Sequence, residues 1–328
     1  MSGFAQQSAA RARGLATSKI AEAEKLQKSW FKTNKNEDAA QLYKEAGHQF
    51  KAAKDLQDAG ESYVKAAQYF QRADMLGEAA MSFSDAATVL KEVDASEAIS
   101  AARQAISIYQ GQGRFSQAGR LTTLIAEVYE ASGDEQQAME NYQEAYEICI
   151  ADNQPQKAHK WLHKVGDLAV KAAQYQKAGE VFETMADFCL SETRLQQANA
   201  KNLYTRAWLC YMVYDSLFGS QKGQEFLEKD YNLAESREGE LIREINGAVE
   251  AMDEAQFTVA VNVYNEVSRL SPEFISLLLK IREPIEAAAE AAEQDKGAEE
   301  DLPDLDAVKI DVADDVLPVN EEGEVDLT

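Results

Sequence analysis

Five prolines and seventeen glycines in 328 residues leave too few turn clusters for a sheet of many short strands. Long stretches rich in Ala, Glu, Gln, Lys and Leu favour helix instead. The three cysteines, Cys149, Cys189 and Cys210, lie far apart and form no C-x-x-C pair, which argues for reduced structural thiols rather than a disulfide framework. Nowhere do eighteen apolar residues run together, and no apolar stretch follows the two arginines of MSGFAQQSAARARG. Neither a membrane span nor a secretory leader is therefore expected. Basic blocks are missing as well. With 33 Lys and Arg against 57 Asp and Glu, the net charge is −24, and the chain offers no basic face for neutralising phosphates. No nucleic acid is expected among its partners.

Catalytic fingerprints are equally scarce. No P-loop, dinucleotide-binding glycine pattern, zinc-protease helix or nucleophile elbow is present, so neither an enzyme activity nor a cofactor is expected. His159 and His163 stand four apart, but no third ligand at a suitable spacing joins them. They read as polar residues flanking Trp161, and no metal is expected.

What the sequence does contain is a period. Alanine recurs at 39, 59, 79, 98, 118, 138, 158, 178 and 198. Four places on stands a large apolar residue (Tyr43, Tyr63, Phe83, Tyr142, Leu162, Phe182), and seven or eight on a small or aliphatic one (Ala46, Ala66, Ala86, Ala126, Ala145, Val165, Ala186). That spacing puts one buried helical face in every twenty residues. Short breaks carrying Gly, Asn, Asp, Ser or Pro separate the faces, as helix caps and turns require. Two units make a helical hairpin, and each hairpin buries its face against the next. The expected fold is all-α, a tetratricopeptide-like solenoid (an α-α superhelix).

The expected organisation is an N-terminal segment over 1–19, the solenoid over 20–215, a C-terminal helical bundle of three or so longer helices over 216–285, and a disordered acidic tail over 286–328. The tail holds sixteen Asp and Glu against two lysines, a charge of −14 that leaves −10 for the rest. Such a tail suits a basic partner. Within it EAAAEAAEQDKGAEE is able to prolong a helix.

A solenoid binds through side chains that recur at the hairpin period. Arg120, Lys160 and Lys201 are forty and forty-one residues apart, which aligns them as a cationic stripe suited to an acidic rod.

Four segments then point to one family. GRFSQAGRLTTLIAEVYE (113–130), QKAHKWLHKVGDLAVKAAQYQKAGEVFE (156–183), QQANAKNLYTRAWLC (196–210) and VNVYNEVSRLSPEFISLLLKIREPI (261–285) resemble the soluble NSF attachment proteins, most of all the alpha form. The likeness runs over about residues 15–285. It implies an adaptor, not an enzyme, that holds the bundle of syntaxin-type and synaptobrevin-type helices in an assembled SNARE complex. The same adaptor recruits and stimulates the hexameric ATPase NSF, which pulls the bundle apart. The resemblance places the SNARE-contacting cations on Arg120, Lys160, Lys201 and Arg237, the first being Arg where the family commonly has Lys. Lys54, Lys91 and Arg114 align with further basic positions. A tetratricopeptide scaffold or co-chaperone with another client is the alternative, and it requires none of these features together.

The same resemblance implies a membrane-attachment loop over 28–36. Trp30 and Phe31 would sit at the headgroup boundary, with Lys28, Lys32 and Lys35 drawn to anionic lipid. The loop is shorter than the family's and has one aromatic pair. Full burial of two such side chains is worth about 3 to 6 kcal/mol, so one copy attaches weakly and several copies bind avidly. The expected localisation is cytoplasmic and peripheral to membranes. NSF contacts are implied for Glu250, Asp253 and Glu254 and for an acidic end with a penultimate leucine. Two stretches compete for that last role: Glu299, Glu300, Asp301 and Leu302, which twenty-six residues follow, and EVDLT, which makes Leu327 penultimate.

Overall fold

The computed structural model describes residues 2–28, 33–192 and 194–299, and among them every regular element is a helix. The chain forms two compact units, Met1–Val165 and Gly166–Thr328.

The first unit contains α1 (Ser2–Gln27), α2 (Lys35–Ala52), α3 (Leu56–Arg72), α4 (Leu76–Leu90), α5 (Ala95–Gly111), α6 (Phe115–Ser132), α7 (Glu135–Ala151) and most of α8 (Pro155–Lys171). From α3 onward the helix starts fall 19 or 20 residues apart, as the alanine period requires. Ala39, Ala59, Ala79, Ala98, Ala118, Ala138 and Ala158 are all fully buried, and so are Tyr63, Phe83 and Tyr142. Close approach makes small residues necessary. A Cβ on Gly47 would lie 2.6 Å from the Tyr63 ring, and that ring is pinned because its hydroxyl bonds His48 Nδ1 at 2.9 Å.

The turns repeat as well. Lys54, Asp74, Gly113, Gly133 and Asn153 each take a positive φ of 56 to 79°. Just beyond each, an amide reaches back five residues: Asp55 to Phe50, Met75 to Phe70, Arg114 to Tyr109, Asp134 to Tyr129 and Gln154 to Cys149, at 2.8 to 3.0 Å. This is the Schellman closure, which satisfies carbonyls that a helix end would leave open. The turn before α5 has no left-handed residue: the Asp94 amide reaches back four residues to Leu90 at 2.7 Å, and its side chain caps the helix by accepting from the Glu97 amide at 2.9 Å.

The second unit continues with α9 (Tyr175–Ser191) and α10 (Arg194–Tyr214). Ala178 is buried as expected, but Ala198 is exposed, and Ala200 takes the buried position. At 21 residues α10 is a turn longer than the repeats before it, and Ala200, Tyr204, Ala207, Trp208 and Tyr211 lie on its packed face.

Beyond it lie α11 (Ser216–Lys229), the single turn α12 (Tyr231–Ala234), α13 (Arg237–Ala251), α14 (Glu254–Asn265) and α15 (Pro272–Glu299). These are more elements than the three or so longer helices expected, and only α15, at 28 residues, is long. Local caps divide them: Asp215 accepts from Phe218 N, Asp230 from Asn232 N, Ser236 from Gly239 N and Asp253 from Gln256 N. Helix α15 continues through Pro284 and includes residues 286–299. The rest of the acidic tail lies outside the described residues.

Candidate functional site

In the first unit Arg120 and Lys160 each occupy the sixth position of their helix, α6 and α8, two residues beyond a buried alanine. Both are exposed. Arg120 donates to Ser84 Oγ at 3.0 Å, and the Lys160 ammonium stands 4.8 Å from the centre of the Trp161 ring. Trp161 stacks on Tyr142 at 5.9 Å, so the lysine rests on an anchored aromatic plate.

A groove of about 450 Å³ opens beside these residues, lined by Lys91, Arg120, Lys157, Thr123, Glu127 and Trp161 among others. Three cations face one carboxylate there, and Lys91 Nζ lies 3.9 Å from Glu127. The groove therefore attracts anionic side chains. Sequence reasoning missed Lys157, whose signal is its place one turn before Lys160 on the same helix. Lys54 and Arg114 do not line this groove. Lys54 is the exposed left-handed residue closing α2, and the Arg114 guanidinium lies 4.7 Å from the Tyr109 ring at the entrance to α6. His159 is half-buried, and burial lowers its pKa.

The second unit carries Lys201 on α10 and Arg237 at the first position of α13. Arg237 is exposed, whereas Lys201 is half-buried and bonds Glu238 Oε2 at 3.1 Å. Burial alone would raise the Glu238 pKa. Hydrogen bonds from its own backbone, Lys201 and Ser236 overcome that and hold it below the usual carboxylate range. Tyr264 donates to the same carboxylate at 3.3 Å, and burial, with the Glu238 charge, pushes its phenol up to about 12. Glu238 thus orients Lys201 from 37 residues away, a pairing that no local pattern reveals.

Glu250, Asp253 and Glu254 come together around the turn between α13 and α14, where Met252 has φ 51°. Glu250 is exposed. Asp253 is occupied in part as the α14 cap, and Glu254 accepts from Arg282 at 2.7 Å. Of the expected membrane loop, Lys28 is exposed just past α1, and Gln27 ties the loop's base by donating to the Lys35 carbonyl at 3.0 Å. Trp30, Phe31 and Lys32 lie outside the described residues, as do Glu300, Asp301, Leu302 and Leu327. Glu299 is the last residue of α15. No helix among the described residues is long and apolar enough to cross a membrane, and no three of their His, Cys, Asp or Glu side chains gather as metal ligands.

Stacked helical hairpins with exposed cations at repeated helical positions define a tetratricopeptide-like repeat protein. The family model described as "Soluble NSF attachment protein, SNAP" matches residues 15–286. The chain is 31 % identical over 259 residues to the alpha-soluble NSF attachment protein of Mus musculus, covering 79 % of this chain and 88 % of that one. It is 30 % identical over 255 residues to the beta form of Bos taurus, covering 77 % and 85 %. With the vesicular-fusion protein SEC17 of Coprinopsis cinerea it shares 31 % over 261 residues, covering 78 % and 90 %. The chain belongs to the soluble NSF attachment protein family.

Proposed function

We propose that this protein is an adaptor that binds assembled SNARE complexes and recruits and stimulates NSF for their disassembly in vesicle trafficking. The observation that carries the reading is the pair Arg120 and Lys160, exposed at the same position of α6 and α8 in a family named for NSF attachment. A helical bundle with an acidic surface is the ligand these cations suit, assisted by Lys91 and Lys157 in the adjacent groove. Lys201 and Arg237 supply the same charge in the second unit, with Lys54 and Arg114 in secondary roles.

Around the α13–α14 turn, Glu250, Asp253 and Glu254 offer negative charge to a basic face of NSF. One of the two competing acidic leucine ends, Glu299 to Leu302 or the end that carries Leu327, is the stimulating element. Trp30 and Phe31, with Lys28 and Lys32, attach the adaptor weakly to the membrane surface beside its cargo. The chain acts by holding and orienting partners, not by catalysis.

The test is binding of a purified SNARE complex to wild type and to Arg120→Glu with Lys160→Glu. Both side chains are exposed, so helicity stays unchanged while binding falls by about tenfold or more and loses much of its salt dependence. Undiminished binding rejects the face.

A further inference from the structure

An apolar groove of about 230 Å³ runs between α13 and α14. Its floor is Leu241 and Ala260, both buried, and its open side is Val259, Val263 and Val267, at 60, 53 and 58 % exposure. Val259 and Val263 stand one helical turn apart on α14, and Val267 follows in the turn just past the helix end, extending the apolar side. Elsewhere in this unit the side chains of neighbouring helices fill such spaces: the Tyr211 ring covers Gly179, and Trp208 covers Gly223. The α13–α14 groove has the shape of a repeat that lacks its next helix.

Charge identifies the kind of helix. Glu240 and Glu244, both exposed and one turn apart, form the α13 wall, and the Gln256 amide donates to Glu244 at 3.4 Å. Arg237 is the one cation among the residues that line the groove. We propose that this groove docks an amphipathic helix of a partner protein, with an aliphatic stripe on the valines and Lys or Arg one turn apart beside Glu240 and Glu244. The chain's own C-terminal residues 300–328 do not fit, because they carry eleven Asp and Glu against one lysine, the same sign as the wall. The groove shares Arg237 with the cations assigned to SNARE contact, but the inference rests on the valines and on Glu240 and Glu244, not on the adaptor reading.

The experiment uses the full chain at near-physiological salt, with labelled amphipathic helices of about fourteen residues. One is built of Leu and Lys, a second of Leu and Glu, and a third scrambles the Leu/Lys sequence so that no apolar stripe remains. Fluorescence anisotropy is expected to show the Leu/Lys helix binding about tenfold or more tightly than the other two. Val259→Ser with Val263→Ser removes that preference at unchanged helical circular dichroism. Glu240→Lys with Glu244→Lys transfers the preference to the Leu/Glu helix.

Equal binding of the scrambled peptide overturns the proposal. So does an equal loss in Glu61→Lys with Glu97→Lys, which alters the same net charge far from the groove in sequence. If deleting residues 300–328 is needed before any helix binds, the tail is the occupant. If the valine substitutions instead turn a dimer into a monomer, a second copy is the occupant. Either result contradicts a partner helix.

Discussion

The Lys201 ammonium lies 3.1 Å from Glu238, a carboxylate only 8 % exposed that also accepts from Tyr264. Arg237, the residue just before Glu238, is exposed. One helix start thus presents a free cation and restrains a second one through its neighbour. Because the folded Glu238 pKa is depressed, its contribution is complete above the unfolded value of about 4.3 and is lost as pH falls through the lower folded value. Glu238→Gln is expected to cost about 1 kcal/mol near neutral pH, as Lys201 keeps partial access to water, and much less at a pH below the lowered folded value. Denaturant titrations at both pH values check this. A pH-independent difference contradicts it.

Gly47→Ala is expected to destabilise the first unit by about 1 to 3 kcal/mol, because the new methyl meets a Tyr63 ring that His48 holds in place. Adding Tyr63→Leu removes the obstruction and should recover part of the loss. If the single substitution leaves the denaturation midpoint unchanged, the helices are not as close as described.

Arg206 bridges Asp167 at 2.9 Å and Glu273 at 2.6 Å, with its guanidinium 4.0 Å from the Phe182 ring centre. The arginine side chain is 13 % exposed, but its acidic partners are 42 and 35 % exposed, so water moderates the penalty for breaking the cluster. Arg206→Leu is expected to cost about 2 kcal/mol, and Arg206→Lys less, since lysine keeps the charge but loses the two-pronged contact of Nε and Nη2 with Glu273. Equal midpoints for all three proteins would show the cluster to be energetically silent.

Trp30→Ser with Phe31→Ser should slow SNARE disassembly on liposomes several-fold and leave it nearly unchanged in detergent, as interfacial anchoring is needed only where there is a membrane. An equal loss in both settings assigns the aromatics to folding. The hydrogen bond from Gln27 to Lys35 keeps the two ends of the segment together in either case.

The period of twenty made the repeat readable, since Ala39 through Ala178 and the aromatics four places on are determined by close packing of successive helices. It failed at Ala198 on α10, which is exposed while Ala200 takes the buried position. Periodicity likewise put Arg120 and Lys160 at the same position of α6 and α8, because equivalent repeat positions share a helical face. The groove that joins Arg120 to Lys91 and Lys157, and the restraint of Lys201 by Glu238, arise from residues far apart in sequence. They become visible only when packing brings them together. Past residue 216 the helix ends follow individual caps such as Asp230 and Asp253 rather than a repeat, so fewer helices were expected than the fold contains.

The most direct measurement is ATP-driven disassembly of a SNARE complex by NSF, supported by the full-length protein, by Arg120→Glu with Lys160→Glu, and by truncations after Leu302 and before Glu299. The adaptor account predicts that the full chain supports disassembly, that the charge-reversed variant fails at matched concentration, and that at least one truncation lowers the rate while SNARE binding persists. Absence of disassembly with matched SNAREs and NSF, or full activity of the charge-reversed variant, contradicts it.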